Sequence, residues 1–225
     1  MKVIILCTTG MLGAMVLDVF KNSGFDLTAT ARNIADVSRF ENIKYKEFDA
    51  KKADINEIRE LIKDADYVLN CIGVIKPYIR DNNMEEVDNA IQINSLFPNK
   101  LAQASAGLKV QIIQIATDCV FSGRTGAYVE SDLHDAADVY GKSKSLGEAV
   151  SENMHHLRVS IIGPEKKSHK SLLDWFLSQP ENAELKGFAN HTWNGVTTLQ
   201  YAKICLGIVK NSIQLPGLQH IVPSD

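Results

Sequence analysis

The sequence predicts a doubly wound α/β domain built on a parallel sheet, and three observations predict it. β-branched, apolar runs recur along the chain, beginning with Lys2-Val-Ile-Ile-Leu6. Segments with helical spacing alternate with those runs, as crossover connections between parallel strands require. A turn carrying Gly10 and Gly13 joins the first run to the first helix. Runs that stay apolar throughout suit strands covered on both faces.

The elements follow in order. Lys2 to Leu6 reads as a strand, and Leu12 to Phe20 has its apolar residues at helical spacing. Phe25 to Ala31 is a Thr-rich second strand ending at Arg32, and Tyr45 to Asp49 is a short third. Ile55 to Ala65 places Ile58, Leu61 and Ile62 on one helical face, and Tyr67 to Cys71 returns to strand before the loop Gly73-Val-Ile-Lys-Pro77. A helix runs from about Met84 to Ser105, with Pro98 interrupting it or marking a restart. Val110 to Ala116 is a strand, Thr117 to Gly126 a loop, Tyr140 to Asn153 a helix and Leu157 to Ile162 another strand. After Gly163-Pro164 the rhythm changes, with Leu172 to Ser178 and Thr198 to Lys210 patterned as helices around a polar stretch containing Asn190-His-Thr-Trp-Asn-Gly195. Two regions result: a nucleotide-binding type domain over 1–163, and over 164–225 a partial substrate-binding region partly interleaved with it. That second region is thin, as in a shortened chain or a piece of a longer one.

Composition narrows the function classes. The 225 residues are 45% hydrophobic and 23% charged, ordinary values for a well-cored domain. A net charge of -3 gives no reason to expect a nucleic-acid partner, and Lys166, Lys167 and Lys170 form only a local patch. No stretch has the length of a membrane span, and the N-terminal run lacks a small-residue cleavage pattern. Cys7, Cys71, Cys119 and Cys205 are far apart, without metal-ligand or disulfide spacing, so free thiols in a cytoplasmic protein are expected and no metal is.

The glycine turn enters a helix whose N-terminus offers backbone donors to a pyrophosphate. About twenty residues on, where an acidic residue would bind a ribose hydroxyl, stands Arg32. It reads either as the partner of an NADP 2′-phosphate, favouring NADP(H) with NAD(H) possible, or as a solvated arginine. Cys7 occupies a place where a first turn glycine is common; its Cβ leads us to expect a turn that avoids positive φ. Asp49 reads as an acceptor for an adenine amino group or as a turn cap.

Tyr140 and Lys144 are four residues apart, one helical face for a phenol and an ammonium. A phenol titrates near ~10 when unperturbed, and a neighbouring cation lowers that value. Thr117, ending a strand on the rim where such sheets bind ligands, is placed to donate to a carbonyl oxygen. The bland alternative is a ring packed inward beside a solvated lysine. Chain order and the glycine turn favour proton transfer to an oxygen while a dinucleotide handles a hydride.

The stretches Thr8-Thr-Gly-Met-Leu-Gly13, Asn70-Cys-Ile-Gly73, Ala116-Thr-Asp-Cys-Val-Phe-Ser-Gly123, Tyr140-Gly-Lys-Ser-Lys144 with Gly147-Glu148, and Leu157-Arg-Val-Ser-Ile-Ile-Gly163 resemble the extended short-chain dehydrogenase/reductase family. The nearest branch is the dTDP-4-dehydrorhamnose reductase-like, sugar-nucleotide-modifying group. The resemblance implies a Rossmann-type domain holding NAD(P)H through Thr9, Gly10, Met11, Leu12, Gly13, Arg32, Asp49, Cys71, Ile72, Gly73, Tyr140 and Lys144. It implies a catalytic set of Thr117, Tyr140 and Lys144, with Asn94 organising the active-site helix. It also implies a nucleotide-sugar substrate contacted by Asp118, Cys119, Val120, Asn190, His191, Trp193 and Asn194, and reduction of a 4-keto group on a 6-deoxyhexose. Asp118 either caps its loop or binds substrate hydroxyls, and Trp193 either lines the sugar side or packs the small region. Epimerisation or dehydration with tightly held NAD, and a non-catalytic NADP(H)-binding regulatory or assembly subunit, are the competing readings. A homodimer is possible by analogy. The chain departs from the family pattern at Cys7, at Cys119 (an aromatic is common there) and in its short C-terminal region.

Overall fold

The computed structural model describes residues 1–37, 40–165 and 171–223, so Lys166, Lys167 and Lys170 lie outside the described residues. Its elements are β1 (Lys2–Leu6), α1 (Met11–Phe20), β2 (Asp26–Ala31), β3 (Ile43–Glu47), α2 (Ile55–Ile62), β4 (Tyr67–Asn70), α3 (Met84–Ala90), α4 (Phe97–Ser105), β5 (Gln111–Ala116), α5 (Val139–Leu146), β6 (Met154–Arg158), β7 (Ile161–Ile162), α6 (Leu172–Leu177), β8 (Val196–Thr197), α7 (Thr198–Lys210) and β9 (Leu218–His220). The main sheet has the order β3-β2-β1-β4-β5-β6-β9, every neighbouring pair parallel. This is the α/β doubly wound arrangement of a Rossmann-like fold, with its topological switch between β1 and β4.

Strand alternation divides the core into two layers. Val3 and Ile5 of β1 face one way, joining Leu12, Val16, Leu17 and Phe20 of α1 with Tyr201, Ala202, Cys205 and Val209 of α7. Ile4 and Leu6 face the other, against Ile58 and Ile62 of α2 and Phe97 and Leu101 of α4. Side chains of this size contribute about 1.5–3 kcal/mol each when fully buried. α2 starts cleanly because Asp54 and Glu57 form a reciprocal capping box, with Glu57 N–H donating at 2.8 Å and Asp54 N–H at 3.0 Å.

Four elements differ from the sequence expectation. The third strand is Ile43–Glu47, because its register on β2 runs from Leu27↔Ile43 to Ala31↔Glu47 and leaves Asp49 in the turn beyond. α5 stops at Leu146, seven residues short of Asn153, with Gly147 as its C-cap. A Cβ on Gly147 would stand 1.9 Å from the Asn94 carbonyl oxygen, so the chain passes there only without a side chain. The run Leu157 to Ile162 splits: β6 holds Met154–Arg158 in the main sheet, while Ile161–Ile162 pairs with Val196–Thr197 in a separate two-stranded sheet. The long helix through Pro98 contains a π-turn over Ile91–Leu96, after which Pro98 sits in the first turn of α4, where its missing N–H costs little.

The segment from 164 returns to the main body twice. α7 packs on α1, and β9 adds a strand beside β6. Residues 171–195, which precede α7, are mostly exposed, including Leu172, Phe176, Leu177 and Phe188. No helix among the described residues is long and apolar enough to cross a membrane.

Candidate active site

The turn after β1 lies at the topological switch. Thr8 anchors it, its N–H and hydroxyl both donating to the Thr30 carbonyl at 2.8 and 3.0 Å. Cys7 adopts φ +67°, the left-handed region, contrary to the expectation that its Cβ would exclude it. The strand and the Thr30 contacts over-determine the turn, and the residue bears the strain, roughly 1–2 kcal/mol. Gly13 is fixed by sterics: a Cβ there would lie 2.0 Å from the Cys7 carbonyl oxygen. Gly10 is the N-cap of α1, with no side-chain cap and no acidic residue in the first turn. A helix start with this composition is suited to an anion, so the turn fits a pyrophosphate. Arg32 is exposed past the end of β2, close enough for its charge to oppose the upward push that burial gives the Cys7 thiol. Asp49 caps its own turn, accepting from Lys51 N–H at 3.0 Å.

The candidate centre is assembled by three loops meeting α5. Thr117 follows β5, buried, its Oγ1 accepting from Cys119 N–H at 3.2 Å. Asp138 caps α5 through Gly141 N–H at 2.8 Å and pairs with Lys76 of the β4 loop at 2.6 Å. Gly141 permits this docking, since a Cβ would come within 2.3 Å of the Cys119 carbonyl oxygen. The result places the half-buried Tyr140 beside Thr117, close enough for the hydroxyl to act on the phenol's titration.

The electrostatics reverse one expectation. Tyr140 is raised, not lowered: burial dominates, the nearby Cys119 thiol and Asp118 carboxylate add to it by disfavouring a phenolate, and the Thr117 hydroxyl only partly opposes. Lys144, 7% exposed, donates to the Ile115 carbonyl at 2.8 Å and so spends a proton on the strand rather than on the phenol. Burial lowers its own pKa to about 8. In the chain by itself the phenol is therefore a firmly protonated acid.

Asn94, in the π-turn, ties these parts together. Its Oδ1 accepts from Val74 N–H at 2.8 Å, while Nδ2 donates to the Val74 carbonyl at 2.9 Å and Ser143 Oγ at 3.2 Å. Ser95 Oγ donates to the Ser143 carbonyl at 2.7 Å. The wider turn aims consecutive polar side chains at α5 where regular α-geometry would splay them. Cys71, Ile72 and Gly73 form the adjoining loop; Ile72 N–H donates to Asn70 Oδ1 at 3.1 Å, and a Cβ on Gly73 would stand 3.6 Å from Asn94 Oδ1 and 4.0 Å from Lys144 Nζ.

Beside this centre opens a cleft of about 460 Å³. Asp118, Cys119, Trp193 and Asn194 line it, as do Phe121, Ser160, Arg158 and His220, which sequence reading left without a role there. Trp193 is 53% exposed and points its indole N–H at Ser160 Oγ, 2.7 Å away, so it is a wall and not core packing. Val120 is fully buried, and Asn190 and His191 are exposed residues outside the lining. The signal for Arg158 was present, since Glu148 and Arg158 sit in the quoted motifs. Only the fold brings them together.

Sheet order, the glycine turn and the Thr117–Tyr140–Lys144 grouping define a Rossmann-like protein with a dinucleotide-type crossover and an adjoining cleft. The model of the RmlD substrate binding domain matches residues 1–218, and the chain belongs to that family. It is 24% identical over 227 residues to methionine adenosyltransferase 2 subunit beta of Xenopus tropicalis, covering 98% of this chain and 65% of that protein, so it spans just under two thirds of that relative's length. It is 25% identical over 149 residues to dTDP-4-dehydrorhamnose reductase of Mycolicibacterium smegmatis, covering 65% of this chain and 40% of that protein. The structure of a hypothetical dTDP-4-dehydrorhamnose reductase from Sulfolobus tokodaii superposes with a TM-score of 0.77 at 20% identity, covering all of this chain and 77% of the other.

Proposed function

We propose that the chain acts as an NADP(H)-preferring reductase of a 4-keto group on a nucleotide-linked 6-deoxyhexose. The observation that carries this reading is the protonated Tyr140 phenol beside Thr117 at the carboxyl edge of β5, with the cleft on one side and the glycine turn at the same sheet edge. Thr9, Gly10, Met11, Leu12 and Gly13 would hold the pyrophosphate, Arg32 the 2′-phosphate, and Cys71, Ile72 and Gly73 the opposite side. When bound, the nicotinamide supplies a hydride to the carbonyl carbon. Thr117 orients the carbonyl oxygen, and Tyr140 gives it the phenolic proton, leaving an alcohol and a phenolate. Lys144, one helical turn on, is charged below about 8 and stabilises that phenolate. Asp118, Cys119, Trp193 and Asn194 take the sugar side, and the similarity to a dTDP-4-dehydrorhamnose reductase supports the substrate class.

Incubation with NADPH and a panel of dTDP- and UDP-4-keto-6-deoxyhexoses is expected to consume reduced cofactor. Tyr140→Phe is expected to lower kcat about 10²–10⁴-fold with NADPH affinity kept. Silence across the panel overturns the proposal. A second reading, a non-catalytic NADP(H)-binding regulatory subunit, is favoured by the match to methionine adenosyltransferase 2 subunit beta along 98% of the chain. NADPH binding without turnover selects it. Purification with NAD retained selects epimerase-type chemistry instead.

A further inference from the structure

Arg158, 3% exposed at the end of β6, uses all five of its guanidinium donors. Nε and Nη2 hold the two Glu148 oxygens at 2.8 and 2.7 Å. The second Nη2 proton goes to His134 Nε2, and the Nη1 protons go to His220 Nε2 at 3.2 Å and the Glu130 carbonyl at 3.4 Å. The guanidinium also lies over the Phe121 ring, 5.1 Å from its centroid, and that ring stacks on Tyr128 at 4.4 Å. One buried cation thus joins the end of the catalytic helix, strand β6, strand β9 and the loop over residues 121–138 that walls the cleft.

A guanidinium only donates, so the Nε2 of both imidazoles must present a lone pair. Both rings are then neutral with the proton on Nδ1, and His134 Nδ1 accordingly meets Ser145 Oγ at 2.6 Å. We propose that Arg158 is the positioning residue of the cleft wall, and that its hold on the 121–138 loop lasts only while His134 and His220 are unprotonated. This does not depend on what the cleft binds.

The charged surroundings give the sign. His134 faces Arg158, and also Glu148 at 3.6 Å, which would welcome an imidazolium. Glu148 is already engaged by Arg158, so a proton on His134 either opposes the guanidinium or takes its carboxylate; both break the Arg158–His134 bond. Burial, reinforced by the Arg158 charge, keeps the His134 pKa below its usual value despite Glu148. His220 faces Arg158 and, through its backbone N–H at 2.7 Å, the Glu130 carboxylate. Buried His156 on β6 feels Glu148, Lys144 and Arg158, and burial lowers its pKa too. Glu130 and Asp135 are held below the usual carboxylate range by hydrogen bonds and stay ionised through the imidazole window. Protonation of His134 is therefore resisted near neutrality and forces release in mild acid.

Backbone hydrogen exchange of the 225-residue chain tests this without substrate. The reporters are the amides of Asp135 and Ala136, which donate to the Val120 carbonyl, and of Val129, which donates to Asp132. Between about pH 7.5 and about pH 5.5, after correction for intrinsic exchange, their protection is expected to fall about tenfold while β1 and β5 stay protected. His134→Gln keeps an acceptor that cannot titrate, and is expected to hold much of that protection at the lower pH. His220→Gln is the second such variant. Loop protection in the unmutated chain that is flat with pH overturns the proposal, as does an unchanged pH response when both variants are combined. Failure of nucleotide-sugar turnover bears on the proposed reaction and leaves this result untouched.

Discussion

Cys7 shows how much a single residue can hide from its sequence. Its place before the glycine turn was legible, but its left-handed backbone was not, because φ at that point is dictated by the Thr8–Thr30 contacts and by Gly13 pressing on its carbonyl. Cys7→Gly is expected to raise stability by about 1 kcal/mol and Cys7→Val to lower it by at least as much, read from urea midpoints. Lys144 carries the pH signature. Its folded pKa, about 8, lies below the ordinary 10.5, so between those values the unfolded chain holds more protons and stability rises with pH. The proposed reduction moves the other way: loss of the ammonium is expected to lower its rate as pH rises through about 8 in the cofactor-free chain, and Lys144→Met is expected to remove that limb while slowing the reaction. The spacing of Tyr140 and Lys144 was plain in the sequence; the sign of the phenol's shift was not, because it depends on burial and on where Lys144 donates.

Among the elements, the π-turn is the one that sequence patterning conceals. Ile91–Leu96 keeps helical composition on both sides, and only the widened hydrogen bonding brings Asn94 to Val74 and Ser143. Pro98 hinted at an irregularity near there without saying which kind. Asn94→Ala strips partners from the Val74 peptide and is expected to cost about 1–3 kcal/mol, seen in thermal unfolding, and to weaken turnover further by loosening α5. Gly147→Ala drives a methyl into the Asn94 carbonyl, 1.9 Å away, and is expected to be the more damaging of the two in the same assay. The overlong helix expected at Tyr140 to Asn153 has the same origin, since the stop at Gly147 is enforced by a neighbouring helix and not by local propensity.

At the scale of the molecule, α7 and β9 bind the C-terminal segment into the main body. Tyr201, Cys205 and Val209 share one apolar layer with Val16 and Phe20, and β9 supplies His220 to the Arg158 cluster. A chain ending at residue 163 would leave α1 uncovered, and is expected to lose cooperative unfolding by calorimetry. Sequence alone determined the alternation of strands and helices, the crossover turn and the spacing of Tyr140 and Lys144 on one helix, because these rest on periodicity and short spacing, which are local. Tertiary structure alone decided the Cys7 conformation, the division of residues 157–162 between two sheets, the raised phenol and the five-fold engagement of Arg158. Those depend on atoms from distant segments meeting in space with little water between them, where sterics and desolvation outweigh any preference written along the chain.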